Sequence, residues 1–270
     1  MIKTEIGYTT PEKITVRERD LSQEIIGKMD FVDGLMLCAL NRLPEATEKN
    51  MLNAMLVLGL DHGLTPSAIA ARMTYHGAPE SLQGAVASGL LGAGSRLLGT
   101  TERAIVQFQE LAGKISLSDP KASAAEVARE LIETRRRRCE MLYGYGHPIH
   151  KLADPRVGTL RALAIQNGLH GRHWHLADAV AAQLRQEDNP LPMNASGAMA
   201  ACIADMDLDP VFGVALMLIG RCGGLAAHLI EERKSPIAGD IWDLILKQDS
   251  RNQIPPRNRP DTKAAKEMKL

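Results

Sequence analysis

The 270-residue chain is 45% hydrophobic and sets 32 lysines and arginines against 32 aspartates and glutamates. That length buries a core sufficient for one or two domains, and the zero net charge supplies no field toward nucleic acid or anionic lipid. Aromatic residues make up 3% of the sequence, too few for a surface that stacks single-stranded bases.

The N-terminal residues Met1 to Glu5 carry no apolar signal-peptide core, so a cytoplasmic chain is expected. Ile14-Thr15-Val16-Arg17 alternates apolar and polar residues and predicts a short hairpin or edge strand. From there the pattern is helical. Thr47 is the expected cap of a helix in which Met51, Met55, Leu58 and His62 share one face, with Gly63 placed to end it. Thr65-Pro66 joins a cap to a proline at the first helical position and opens a helix through Arg72. Pro79 leads into a helix over Leu82 to Leu91. Its Gly84, Ala85, Ala87, Ser88 and Gly89 let another helix come close, within the chain or across a subunit contact.

Ser123 is the expected cap of a long amphipathic helix that ends in Arg135-Arg136-Arg137-Arg138. Asp209-Pro210 opens the most apolar helix, Val211 to Arg233, whose apolar faces predict complete burial. The longest apolar run in it, Val211 to Ile219, is shorter than the ~20 residues of a membrane span. Cys38, Cys139, Cys202 and Cys222 lie far apart with no CxxC pair, as expected of free thiols in a reducing compartment. The tail from Asn252 is rich in Pro, Lys and Arg and predicts loose structure. No repeat of solenoid period is present.

Three segments carry candidate chemistry. Asp61-His62-Gly63 stands where a helix C-terminus favours a cationic imidazole, or where a histidine simply caps or packs. Gly144-Tyr145-Gly146-His147-Pro148-Ile149-His150-Lys151 precedes Asp154-Pro155-Arg156. Its glycines allow close backbone approach, and Lys151 and Arg156 add positive charge, which points to an anion site more than to a plain turn. Arg221 follows an apolar run, where a guanidinium needs a partner: a substrate carboxylate, or an acidic side chain of the protein. His228 lies seven residues on, on roughly the same face. His147-x-x-His150 has the spacing of metal ligands, but Pro148 breaks the helix that spacing requires and no HExxH or cysteine pair accompanies it. No metal is expected.

In order and spacing these segments resemble the citrate synthase superfamily. The stretches that carry the likeness are Arg42-Leu43-Pro44, Asp61-His62-Gly63, Ser88-Gly89-Leu90-Leu91, and Gly144 through Arg156. Further on come Leu191-Pro192-Met193-Asn194, Gly220-Arg221 to His228, and Glu232-Arg233-Lys234-Ser235-Pro236. The likeness spans about residues 10 to 247 and is strongest to citryl-CoA lyases and the matching domain of ATP-citrate lyase.

The resemblance implies an all-α fold with a minor N-terminal β element. A large domain (1–97 and 205–270) and a smaller lid domain (98–204) are implied, in a homodimer. It also implies C–C bond making or cleavage on a polycarboxylate CoA thioester, with CoA or acyl-CoA as substrate and no tightly bound cofactor. On that reading His62 and His147 polarise the carbonyl or hydroxyl of the acid. Arg156, Arg221 and Arg233 clamp its carboxylates, Arg233 reaching in from the partner. Gly144, Tyr145, Gly146 and Lys151 take CoA, with the arginine run in support.

The chain departs from the superfamily pattern at two places. Asn194-Ala195-Ser196-Gly197 puts Ser196 where the superfamily has its catalytic aspartate, and Gly94-Ser95-Arg96-Leu97-Leu98-Gly99 lacks the histidine of citrate synthases. Three alternatives follow: a lyase or synthase using another proton carrier, an enzyme acting on a polycarboxylate without CoA (a decarboxylase or hydratase), or a non-catalytic binding homologue.

Overall fold

In a computed structural model the described residues are 1–94, 98–116 and 118–253. Ser95, Arg96, Leu97 and Leu117, and the tail beyond Gln253, lie outside them. The chain opens with a three-stranded antiparallel sheet of β1 (Gly7–Thr9), β2 (Ile14–Val16) and β3 (Arg19–Asp20). The alternating segment is therefore its central strand, paired on both sides. Arg17 ties the sheet to the next helix by donating from Nε and Nη2 to the carbonyl of Cys38, at 3.0 and 2.8 Å.

After a π-helical turn at Leu21–Ile25 come eleven α-helices among the described residues: α1 (Phe31–Leu40), α2 (Ala46–Gly59), α3 (Pro66–Gly77), α4 (Leu82–Leu91), α5 (Thr100–Ala112), α6 (Pro120–Arg137), α7 (Pro155–Gln166), α8 (Arg172–Leu184), α9 (Ala195–Asp205), α10 (Pro210–Lys234) and α11 (Ala238–Gln248). One device opens α3, α6, α7 and α10. Thr65, Asp119, Asp154 or Asp209 accepts a first-turn amide, and a proline at the first helical position costs nothing because its missing donor would be unbonded there.

Two caps differ from expectation. α6 is capped by Asp119, and Ser123 is one turn inside it, its hydroxyl donating back to the Asp119 carbonyl at 2.7 Å. α2 is entered through Glu45, whose amide donates to Glu48 Oε2 at 3.2 Å, so Thr47 is already helical. α2 also stops at Gly59, leaving His62 in the loop beyond it.

α9 is the centre of the core: every residue from Gly197 to Ala204 is buried, and the small side chains let α5, α7, α8 and α10 close around it. α10 is long and apolar enough to cross a membrane by length and composition. It packs one face on α2, α3, α4, α5 and α9 through Phe212, Leu216, Gly220, Leu225 and Leu229. Its burial is one-sided, contrary to expectation. Val211 and Ile230 on the far side are 64% and 58% exposed, because among the described residues its packing partners lie on one flank.

Two backbone contacts position everything that follows. At the α2–α10 crossing a Cβ on Gly224 would lie 1.5 Å from the carbonyl oxygen of Leu60, and one on Gly220 would lie 2.5 Å from that of Leu56. Only glycines fit there, and the crossing sets the end of α2 against the middle of α10. At the start of α9, a Cβ on Gly197 would lie 2.4 Å from the Gly144 carbonyl oxygen. Gly144 itself has φ +91°, a conformation costly for any side-chain-bearing residue. That contact seats the glycine–histidine loop on the α9 N-terminus.

Candidate active site

These crossings bring together the Asp61-His62 loop, the loop from Gly144 to Asp154, and the middle of α10. His62, His147 and His150 form a half-buried cluster with ring centroids 5.4 Å (His62–His147), 5.6 Å (His62–His150) and 4.5 Å (His147–His150) apart. The amides of Ile149 and His150 both donate to His147 Nδ1, at 3.1 and 3.0 Å. A nitrogen that accepts two hydrogens carries none, so the ring hydrogen sits on Nε2. Burial, and then the neighbouring His150, Arg156 and His62, hold His147 below the ordinary imidazole range despite the opposing pull of Asp154.

Arg156 Nη2 lies 3.4 Å from that Nε2. Asp154 holds the guanidinium in place, accepting from Arg156 Nε at 2.9 Å, Nη2 at 2.7 Å and the backbone amide at 3.1 Å. It also accepts from the Ala195 amide at 3.0 Å, so one buried carboxylate caps α7, orients Arg156 and locks onto α9. Burial pushes the Asp154 carboxyl up; the hydrogen bonds from Arg156 and Ala195 outweigh it and leave the group below its usual range.

Arg221, midway along α10, is 6% exposed, and its Nε has no hydrogen-bond partner. Among the described residues no carboxylate is within ion-pair distance of it. Burial lowers its pKa; the pull of Asp61 opposes this and the repulsion of Arg156 adds to it, placing both cations in one neighbourhood. Asp61 is otherwise engaged. His228 Nε2 is 2.8 Å from Asp61 Oδ1, and the Gly63 amide donates to Oδ2 at 3.1 Å.

His228 therefore does not serve the space beside Arg221. Its Nδ1 accepts from Arg72, at 3.1 Å from Nε and 2.8 Å from Nη2. Arg72, 1% exposed, pairs through Nη1 with buried Glu232 at 2.6 Å and also meets Glu231. Glu232 in turn accepts the amides of Ile237 and Ala238 at 2.9 and 2.8 Å, tying the relay to the entry of α11.

The remaining expected residues are spread more widely. Tyr145 faces the core, its hydroxyl donating to the Ala177 carbonyl at 2.8 Å. The Gly146 amide donates to the Pro192 carbonyl at 2.7 Å, and the Gly146 carbonyl accepts from Asn194 Nδ2 at 2.7 Å, so the approach that these glycines permit is to the chain itself. Lys151 is exposed. Ser196 is half-buried in the first turn of α9 and accepts from Thr100 Oγ1 at 3.3 Å. Arg233 is exposed near the end of α10, about 18 Å along the helix from Arg221. In the arginine run, Arg135 pairs with Glu140 at 2.6 Å and Arg136 pairs with Glu187.

The residue that sequence reasoning passes over as a site member is His150. The His-x-x-His spacing is plain in the sequence, but Pro148 makes it read as a failed helix. In the structure the same turn folds back so that two amides bind the first ring.

Ligand nitrogens of the three histidines all lie within 4.8 Å of one another, which could suit a metal ion. Two features oppose a cation. His147 Nε2 keeps its hydrogen, and the Arg156 guanidinium stands 3.4 Å from it. The donor set suits an anion that offers several oxygens.

The family profile described as "Citrate synthase, C-terminal domain" matches residues 12–242. Among solved structures, citryl-CoA lyase from Hydrogenobacter thermophilus is 32% identical, covers 98% of this chain and 99% of its own, and superposes with a TM-score of 0.78. The ATP citrate lyase of Methanothrix soehngenii, in complex with citrate and coenzyme A, shares the fold at a TM-score of 0.73. It is 17% identical, and the match covers 95% of this chain and 42% of that one. The "Putative citrate synthase 2" of Mycobacterium tuberculosis is 24% identical over 265 residues, 89% of this chain and 67% of the relative.

Proposed function

The chain belongs to the citrate synthase family, and from that premise we propose that it is a lyase of the citryl-CoA type. It is an enzyme of the citrate synthase superfamily, whose members with known activity act on CoA thioesters. The proposed reaction makes or cleaves the bond between the α-carbon of an acyl-CoA and a carbonyl carbon of a polycarboxylate. The observation that carries this reading is Arg221, a buried guanidinium that meets no carboxylate of its own chain among the described residues. A buried charge without a partner is costly, and a substrate carboxylate removes the cost.

In the cleavage direction the hydroxyl of the tertiary carbon loses its proton, and the C–C bond breaks. The electron pair passes into the thioester as an enolate while a carbonyl forms on the acid fragment. The developing oxygen charge needs fixed donors. His147 Nε2–H and Arg156 Nη2, 3.4 Å apart, are spaced to share one such oxygen. His62 borders the same space, and Arg221 takes a carboxylate. CoA is assigned to the exposed side of the loop that follows Gly146 and carries Lys151, with residues 98–204 as the smaller domain closing over 1–97 and 205–270. Arg233, too far from Arg221 to share its site within one chain, is assigned to the site of a partner copy, in a homodimer.

A second reading, action on a polycarboxylate without CoA, is favoured by Ser196, a hydroxyl in the first turn of α9. The neighbouring carboxylate, Asp154, is taken up by Arg156 and the Ala195 amide and so is not free to handle a thioester enolate. Thermal shift with citrate, oxaloacetate, CoA and acetyl-CoA separates the readings, because a ligand that binds only the folded state raises its Tm. The lyase reading expects shifts with both acid and CoA, and release of acetyl-CoA from citryl-CoA. Shifts with acids alone, without citryl-CoA turnover, would replace it with the second reading.

A further inference from the structure

We infer that His150 is the proton carrier of this site, taking the proton from the substrate hydroxyl and returning it to the α-carbon of the acyl-CoA enolate. This rests on the lyase reading above. The step balances: the O–H bond breaks, the C–C pair moves into the enolate, and the same proton forms the new C–H bond. No other reactant is required.

The carrier must offer a bare nitrogen or oxygen beside the donors that hold the reacting oxygen, and the titratable groups there can be taken in turn. Asp154 already accepts four hydrogen bonds, three from Arg156 and one from the Ala195 amide. Asp61 is held by His228 and the Gly63 amide, and both nitrogens of His228 are engaged, by Arg72 and by Asp61. His147 has its lone pair bound by two amides. Arg156 and Arg221 only donate, and Lys151 is exposed on the loop. The Ser196 hydroxyl is too weak a base.

His62 and His150 remain, and neither ring makes a hydrogen bond among the described residues. His150 is the closer to the His147 donor, its ring 4.5 Å from that of His147 against 5.4 Å for His62. The bond from the His150 amide to His147 Nδ1 fixes the carrier and the donor in one rigid turn. An imidazole is also the side chain whose ordinary titration lies nearest neutrality, as a group that must both take and give a proton requires.

The test follows citryl-CoA cleavage, and deuterium entry into acetyl-CoA in heavy water, across pH 5–9. It compares the full chain, His150→Gln, His150→Asn and His62→Gln, with citrate affinity measured by calorimetry. The expectation is that both His150 variants lose about 10²–10⁴-fold in rate, keep citrate affinity within about threefold, and lose the acidic limb of the pH profile. Added imidazole should restore part of the rate. His62→Gln should weaken citrate binding. A wild type that turns over while the His150 variants stay within tenfold of it, with the acidic limb intact, overturns the inference and leaves the lyase reading standing. Turnover abolished by a chelator and restored by zinc overturns it in favour of a three-histidine metal site. A wild type that binds citrate and CoA but cleaves no citryl-CoA removes the lyase reading itself, and the inference with it.

Discussion

Arg156 Nη2 and His147 Nε2 face each other at 3.4 Å, and each carries a hydrogen. Neither can satisfy the other. Asp154 fixes the guanidinium and two amides fix the imidazole, so the pair cannot turn away and is held ready for an acceptor oxygen. Arg221 supplies a second cation in the same neighbourhood.

Replacing Arg221 with Leu should therefore act in opposite directions on binding and on stability. Polycarboxylate affinity should fall by about 2–5 kcal/mol, since a substrate carboxylate loses its buried partner. The ligand-free protein should gain stability, because an unpaired buried charge is replaced by an apolar side chain. Calorimetry with citrate and denaturant melts measure the two effects. Unchanged citrate affinity would show that Arg221 is structural.

Arg72 shows the reverse case, a buried cation with every partner in place. Arg72→Met leaves Glu232, 3% exposed, without its counter-ion and frees His228 from Arg72. A loss of about 3–5 kcal/mol in urea unfolding is expected. A loss below about 1 kcal/mol would mean that Glu231 and Glu232 find solvent or other partners at little cost.

The helix starts that rest on chemistry at two adjacent positions can be read from the sequence: Thr65-Pro66 and Asp209-Pro210 open helices where expected. Asp119-Pro120 carries the same signal, and the expectation at Ser123 fails by preferring a serine four residues later. The end of α2 is not legible. Periodicity continues through His62, but the chain leaves the helix where Leu60 meets Gly224, a residue far along the sequence. For the same reason the partners of His228 are hidden: Arg72 and Asp61 reach it only after α3 and α10 pack. The motifs point to His62, His147, Arg156 and Arg221 as candidates from residue type alone, whereas the place of His150 beside His147 needs the fold of its own turn.

Asp154 sets an acid limit to stability. Its folded carboxyl titrates below the unfolded value of about 3.9, so between the two values the unfolded chain binds more protons. The stability this group contributes is complete above about pH 4 and is lost as pH falls through the folded value. Urea melts from about pH 5.5 to about pH 2.5 should show a steeper decline for wild type than for Asp154→Asn. Parallel declines would show that other carboxylates dominate acid unfolding.

Glycine at 224 is a steric requirement and glycine at 158 is not. A Cβ at Gly224 would stand 1.5 Å from the Leu60 carbonyl oxygen, whereas one at Gly158, within α7, meets nothing within 4 Å. Gly224→Ala should cost at least the ~1–3 kcal/mol typical of overpacking and loosen the loop that carries His62, weakening citrate binding. Gly158→Ala should stabilise by about 0.5–1 kcal/mol. Thermal melts of the two variants decide it, and similar Tm values would mean that α2 and α10 separate without penalty.

Ser196 stands in the first turn of α9, its hydroxyl accepting from Thr100 at 3.3 Å. A carboxylate at this position would gain from the helix N-terminus, worth roughly 0.3–1 kcal/mol. It would be opposed by Asp154, whose charge is already offset by Arg156. Ser196→Asp should therefore fold and present an ionised base at neutral pH. If His150 carries the proton in the native enzyme, the useful background is His150→Gln. There Ser196→Asp should recover at least about tenfold in citryl-CoA cleavage or in deuterium exchange of acetyl-CoA. It should also give back the acidic limb that His150→Gln lacks, now in the carboxylate range of about 4. In the wild-type background the gain should be small, because a carrier is already present. Mass spectrometry of acetyl-CoA incubated in heavy water reads both. Full exchange in the wild type that survives both His150→Gln and Ser196→Ala would assign the proton to another group. No recovery in the double variant, with citrate and CoA binding intact, would mean that the thioester α-carbon does not face α9, and the reading without CoA would then stand ahead of the lyase.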